Sequence, residues 1–155
     1  MIDRSKSAEV ADVLLVEPSD ELARLTRDGL SDGGGKTTVH AVSDGDEALA
    51  FLERREPYAD APTPCLVVLR AELPAPGPDG LEVLESMADR TELVRIPVIV
   101  TADTPADDLV REAYDLGANA VVPTPGDPDT YLETVEKTSR FWIATARLPN
   151  RIDRL

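Results

Sequence analysis

The stretch CLVVLRAELP, residues 65–74, decides the fold class of this chain. Residues 66–69 form a short, β-branched apolar run, which is typical of a strand buried on both faces of a sheet. Arg70 ends the run, and the Pro, Gly and Asp residues beyond it mark a loop. Because open α/β sheets bind ligands at the carboxyl ends of central strands, the sequence places a cation where a ligand site is expected.

Four more apolar runs of this kind alternate with five amphipathic segments along the chain. The predicted strands are residues 13–17, 37–42, 66–70, 96–101 and 119–123. The first predicted helix starts at Pro18 and Ser19 and is broken at SDGGG (31–35). The other four span residues 43–55, 79–90, 106–118 and 127–148. Strict alternation of strand and helix predicts an α/β fold, a doubly wound parallel sheet with one layer of helices on each face.

The length of 155 residues suits a single domain with a real core. We expect that domain to cover residues 11–149, between a loose amino-terminal arm at 1–10 and a carboxyl-terminal tail at 150–155. No stretch is long and apolar enough to predict a membrane helix, and the polar start MIDRSKSAEV does not resemble a signal peptide. The sequence therefore predicts a cytoplasmic location.

The charge balance is strongly acidic, with 30 Asp and Glu against 16 Lys and Arg and a net charge of −14. This charge argues against nucleic acid and against anionic membrane surfaces as partners. A surface that is acidic and poor in lysine stays soluble at high salt, where screening removes self-repulsion, so a salt-accumulating host is the preferred source. The alternative is a GC-rich genome that favours Arg and Asp codons.

Several stretches, in fixed order, resemble the CheY-like receiver domain, the response-regulator half of two-component signalling. They are VLLVEPSDELARLTRDGL, AVSDGDEALAFLERR, LVVLRAELPAPGPDGLEVLESM, RIPVIVTAD, DLGANAVVPTP and the terminal FWIATARLP, and together they cover roughly residues 12–149. The ending and the long loop at 56–64 are similar to the single-domain regulators of cyanobacterial phytochromes. The resemblance implies a flavodoxin-like (βα)5 sheet with strand order 2-1-3-4-5.

The resemblance also implies a phosphorylation pocket, from which this chain departs at most positions. In the family, two acids after the first strand and an Asp after the third hold Mg²⁺, and that Asp takes the phosphoryl group. A Thr or Ser after the fourth strand and a Lys after the fifth bind the phosphoryl oxygens. The matching positions here are Glu17, Pro18, Arg70, Ala102 and Thr124. Only Glu17 keeps the family's residue type, so the resemblance implies a degenerate receiver, or pseudo-receiver, with no bound Mg²⁺ and no other cofactor.

Two of these positions have alternatives. If the alignment with the family is shifted by one residue, Thr101 instead of Ala102 occupies the Thr or Ser position and supplies its hydroxyl. The alignment without a gap, which gives Ala102, is simpler. Thr124 is also compatible with a plain turn cap, and a cis Thr124–Pro125 bond is an alternative because the family's Lys–Pro bond is often cis.

Arg70 suggests its own explanation for the loss of the pocket. We expect an internal ion pair between Arg70 and Glu17, with Glu72 as a second candidate partner. The guanidinium would supply the positive charge that Mg²⁺ supplies in an ordinary receiver. The alternative is an arginine that is exposed in the loop and paired with nothing.

The remaining chemistry-bearing residues give weaker signals. His40 is the only histidine, in an edge-type strand, and supports neither a metal site nor a catalytic triad. Because no pair of nucleophile and base is visible, we do not expect an enzyme. Trp142 is expected in the core stripe of the last helix with Tyr131, and Phe141 nearer an interface.

Two classes of function remain open from the sequence. The first is a signalling module that docks on a protein partner without phosphorylation. That partner is a histidine kinase or another regulator, and a homodimer is an additional possibility. The second is a sensor that binds a small anion or metabolite near Arg70, where the replacement of bulkier residues by Ala102 and Thr124 leaves room.

Overall fold

A computed structural model describes residues 11–32, 37–124 and 127–145 of the chain. The predicted arm at 1–10, the tail at 150–155 and Pro125 lie outside the described residues. Five strands form one parallel sheet in the order β2-β1-β3-β4-β5, which confirms the predicted fold class and order. The strands are β1 (Ala11–Val16), β2 (Thr37–Val42), β3 (Leu66–Arg70), β4 (Val98–Ala102) and β5 (Ala120–Pro123).

The helices of the described residues fall where the amphipathic segments predicted them. Most have shorter bounds, but the first continues to Asp32, two residues into the break predicted at 31–35. They are α1 (Asp20–Asp32), α2 (Gly45–Leu52), α3 (Gly80–Ala88), α4 (Asp107–Asp115) and α5 (Pro128–Ser139), which continues as a π-helical segment (Arg140–Thr145). Side chains of Asp44 and Asp127 accept backbone N–H groups at the starts of α2 and α5, as N-caps do. Gly117 ends α4 with a φ of 106°, a left-handed conformation that favours glycine.

The sheet separates two apolar layers. Helices α1 and α5 cover one face, where Leu30 and Tyr131 pack against β1 and β3. Helices α2, α3 and α4 cover the other face, where Phe51, Val83 and Met87 are buried. All five residues of β3 are buried, because this central strand has helices on both sides. The two layers leave the carboxyl ends of the strands as the place for a site.

The two aromatic residues of the final helical segment differ in burial. Trp142 is half-buried and packs against the cluster that contains Tyr131 and Val135. Phe141 is 54% exposed, and its ring meets that of Trp142 edge to face at 5.1 Å. Across the part of the chain that the structure describes, no helix has the length and hydropathy needed to cross a membrane.

Candidate functional site

Arg70 is held at the carboxyl edge of the sheet by the strand it ends. In β3 it lies beside Thr101 of β4, one residue beyond the pairing of Leu69 with Val16 of β1. Its side chain is only 8% exposed. A charge with so little access to water is stable only if other groups pair with it, so its partners define the site.

Glu17 is the main partner of the guanidinium. Glu17 Oε1 accepts hydrogen bonds from Arg70 Nη2 at 2.7 Å and Nε at 3.1 Å, and the Glu17 side chain is 5% exposed. The other carboxylate oxygen accepts the backbone N–H of Ser19 at 3.1 Å, and the Glu17 N–H donates to the carbonyl of Val42. The predicted ion pair is therefore present, and Arg70 is not an exposed loop residue.

The other partners of Arg70 among the described residues directly follow β4 and β5. Arg70 Nη1 donates to Asp103 Oδ1 at 3.1 Å and to Thr124 Oγ1 at 3.0 Å, and Thr124 in turn donates to Asp103 Oδ1 at 3.0 Å. Glu72, the second partner expected from the sequence, is exposed on the wall of the cleft instead. The expectation fails because Glu72 lies beyond β3 in the loop, whereas Asp103 directly follows the neighbouring strand β4.

These contacts keep the arginine charged. Burial alone would lower the pKa of the Arg70 guanidinium, because the charged form loses its water. The hydrogen bonds and negative charge of Glu17, with the charge of Asp103, outweigh the burial and hold the pKa above its ordinary value. The site therefore contains a permanent internal cation.

A cleft of about 280 Å³ opens beside this network. Of the two candidates on β4 for the family's Thr or Ser position, only Ala102 lines it. Ala102 lines the cleft with Arg70 and Pro18, which is the arrangement predicted by the count without a gap. Thr101 borders a small apolar cavity with Tyr131, on the α1 and α5 side of the sheet. No shift of register is needed to describe the cleft.

A divalent cation such as Mg²⁺ binds through several oxygens, and few oxygens of the site are available to it. Glu17 already accepts three N–H hydrogen bonds, two of them from Arg70, and Pro18 offers no side-chain oxygen. Throughout the described ranges, no three His, Cys, Asp or Glu side chains are grouped as metal ligands. The residues at this edge do not fit a Mg²⁺ site, because a guanidinium lies among the oxygens.

One residue of the site, Asp103, and one polar contact behind the site, that of Tyr131, were missed in the sequence. Asp103 carried a usable signal, since it follows β4 at the same edge as Glu17 and Arg70. Tyr131 carried none: its hydroxyl hydrogen-bonds Thr26 across the α1–α5 contact, and burial raises the pKa of this phenol. Because Thr26 Oγ1 donates its hydrogen to the Leu22 carbonyl, Tyr131 is the donor to Thr26.

Comparison with known proteins gives a consistent set of relatives. The chain is 32% identical over 149 residues to the response regulator Rcp1 of a Synechocystis species, covering 96% of this chain and 99% of that protein. No protein-family model matches the chain.

Two crystal structures are similar over nearly the whole fold. The Mn²⁺-bound form of Rcp1 superposes with a TM-score of 0.85 at 31% identity, covering 90% of this chain and 99% of that one. The phosphorylated cyanobacterial phytochrome response regulator RcpA superposes with a TM-score of 0.86 at 32% identity, covering 91% of this chain and 99% of that one.

Proposed function

Because the chain belongs to the family of response-regulator receiver domains, we propose that it is a two-component signalling module that acts by docking on a protein partner without being phosphorylated. Its partner is a histidine kinase or another regulator, and the two meet in the cytoplasm. The proposal rests on one observation: a buried guanidinium, Arg70, ends the central strand and is paired with Glu17.

The chemistry of a guanidinium supports the loss of phosphorylation. In receivers the residue at the position of Arg70 is the Asp that attacks the phosphodonor. A guanidinium stays protonated and has no carboxylate oxygen with which to accept a phosphoryl group. Asp103 does not restore the function, since its side chain is 81% exposed and one of its oxygens accepts hydrogen bonds from Arg70 and Thr124.

The same residue supports the loss of Mg²⁺ binding. A divalent cation would have to approach Glu17 against the charge of Arg70, which lies 2.7 Å from the carboxylate oxygen. In place of the metal, the guanidinium links the end of β1 through Glu17, the residue after β4 through Asp103 and the residue after β5 through Thr124. These links hold the ends of three strands in one arrangement with no covalent modification, which suits a module that docks constitutively.

The anion-sensor alternative has less support. Three carboxylates line the cleft, those of Glu17, Glu72 and Asp103, against one guanidinium. Four of the five N–H groups of Arg70 donate to protein atoms of the described residues. An anion would meet net negative charge and one remaining N–H, so docking by the folded module is the better proposal.

We predict that the protein gains no phosphoryl group from acetyl phosphate in the presence of Mg²⁺, because no carboxylate occupies the acceptor position. Intact-mass spectrometry after incubation checks this, with RcpA treated in parallel as the receiver known in a phosphorylated form. An adduct of one phosphoryl group on this protein, removable by hydroxylamine as acyl phosphates are, would overturn the proposed mechanism.

We further propose that the host accumulates salt, which predicts a stability that rises with KCl. With a net charge of −14, repulsion acts over a Debye length of about 30 Å at 0.01 M salt but only about 3 Å at 1 M. The melting temperature should climb steadily as KCl is raised to molar levels, as measured by circular dichroism. A flat profile would favour the GC-rich genome instead.

The predicted homodimer, for which exposed Phe141 is a candidate contact, stays a prediction.

A further inference from the structure

The two edges of the sheet are built differently. Strand β5 is four residues long and ends in Pro123, and both features discourage the addition of another strand. Strand β2 is six residues long, TTVHAV, and contains no proline, lysine or acid. Within the described residues it pairs only with β1, and Thr38 and Ala41 are exposed. An unguarded edge of this length is a template for an additional strand.

A groove of about 410 Å³ runs beside the end of this strand, within the roughly 300–1,000 Å³ of typical ligand sites. The last three residues of β2 form one side of the groove, and the loop from Pro57 to Pro62 forms the other. Three rings lie next to one another along the groove. The ring centroids of His40 and Phe51 are 5.2 Å apart, and those of Phe51 and Tyr58 are 5.4 Å apart. Tyr58 and His40 are half-buried, so parts of both rings face the groove.

The groove is electronegative. Asp60 is exposed on its lining, and Glu47 accepts a hydrogen bond from the Tyr58 hydroxyl at 2.8 Å. That hydrogen bond, with burial and the charges of Glu47 and Asp44, raises the pKa of Tyr58. No lysine or arginine of the described residues lines the groove. Aromatic faces next to carboxylates attract a cation, and a planar guanidinium can also stack on a ring.

We propose that the edge of β2 and this groove, together the β2 groove, bind an extended, arginine-bearing segment of a partner protein. The segment adds to β2 through backbone hydrogen bonds, and its arginine lies over Tyr58 with its charge near Asp60. Within the described residues, the β2 groove shares no lining residue with the Arg70 cleft. The inference therefore goes beyond the proposed function, and either one can fail without the other.

The test uses a probe peptide, acetyl-Thr-Val-Arg-Val-Thr-amide, and its twin with citrulline, which is neutral and nearly isosteric, in place of arginine. Titrated into the ¹⁵N-labelled full chain, the arginine peptide should shift the amide signals of residues 38–42 and 57–62. The citrulline peptide should bind at least about tenfold more weakly, because it lacks the charge.

Variants of the groove check which side chains carry the binding. Tyr58→Leu and Asp60→Asn should each weaken the arginine peptide at least about tenfold. Asp60 is exposed, so its replacement leaves the fold intact. The matched controls Tyr114→Leu and Asp108→Asn, at exposed positions elsewhere, should leave the affinity unchanged.

Four results with the peptides, the variants or a small cation would overturn the proposal. The first is the absence of amide shifts at millimolar arginine peptide, and the second is equal binding of the citrulline peptide. The third is an unchanged affinity of Tyr58→Leu and Asp60→Asn for the arginine peptide. The fourth is an equal set of shifts from tetramethylammonium chloride, which would assign the groove to a small cation. A concentration-dependent dimer that shifts residues 38–42 without peptide would assign the edge to a second copy and would also overturn it.

Discussion

Replacing Arg70 by methionine is expected to lower the free energy of unfolding by about 3–5 kcal/mol at pH 7. Methionine keeps an apolar stem of similar length but leaves the Glu17 carboxylate buried without its cation. The Glu17 side chain is 5% exposed, so water cannot replace the lost guanidinium. Urea unfolding followed by circular dichroism measures the difference.

The loss should shrink as the pH falls. The loss comes from an unpaired buried charge, and lowering the pH removes charge from carboxylates, so the deficit relative to the wild type should decrease on acidification. Melting curves that match the wild type across about pH 4 to 8 would contradict the internal-cation account.

Arg90→Met is the matched control for this substitution. Arg90 also forms ion pairs, with Glu53 and Glu92, but its side chain is 43% exposed. Exposed ion pairs contribute little, so this variant should stay within about 1 kcal/mol of the wild type. A similar loss in both variants would mean that methionine itself, rather than the buried pair, is responsible.

Gly80→Ala is expected to destabilise the fold by about 3 kcal/mol, through a steric effect next to the same site. A Cβ at residue 80 would lie 2.2 Å from the Arg70 carbonyl oxygen and 2.9 Å from Ala71 Cα. Both neighbours are backbone atoms, so they cannot rotate away, and Ala71 is tied by its N–H to the Thr101 carbonyl. Relief of this clash requires α3 to move away from the end of β3. Urea unfolding measures the resulting loss of stability.

Gly117→Ala provides the comparison for Gly80→Ala. A Cβ at Gly117 meets no atom within 4 Å, so the only cost is the left-handed φ of 106°, about 1–2 kcal/mol. The steric account predicts the larger loss at Gly80. Equal stability of Gly80→Ala and the wild type would mean that the loop after β3 adapts freely and does not fix the position of Arg70.

The sequence predicted the central strand well and the ends of the helices less well. β3 spans Leu66–Arg70 as predicted, because an apolar run followed by loop residues has few other solutions. The helix predicted over 43–55 ends at Leu52 instead, since Arg54 adopts a φ of 55° and its N–H binds the Phe51 carbonyl. A non-glycine residue in the left-handed region has no sequence signal, so this end could not have been found.

The same distinction applies to the site. The pairing of Arg70 with Glu17 could be predicted because Arg70 ends β3 and Glu17 directly follows β1, and the carboxyl ends of these neighbouring parallel strands share one edge. The choice of Asp103 over Glu72 depends on the path of two loops, which apolar periodicity does not describe. The contact of Tyr131 with Thr26 joins residues that are 105 positions apart, and it depends on how α5 packs on α1.

A double-mutant cycle between Arg70 and Glu17 tests most directly whether Arg70 serves as an internal cation. The cycle compares Arg70→Met, Glu17→Gln and the double variant with the wild type by urea unfolding at pH 7. We expect a coupling energy of about 2–3 kcal/mol, with the double variant more stable than Arg70→Met alone because no buried charge is left unpaired. Additive losses, with a coupling energy below about 0.5 kcal/mol, would contradict the account.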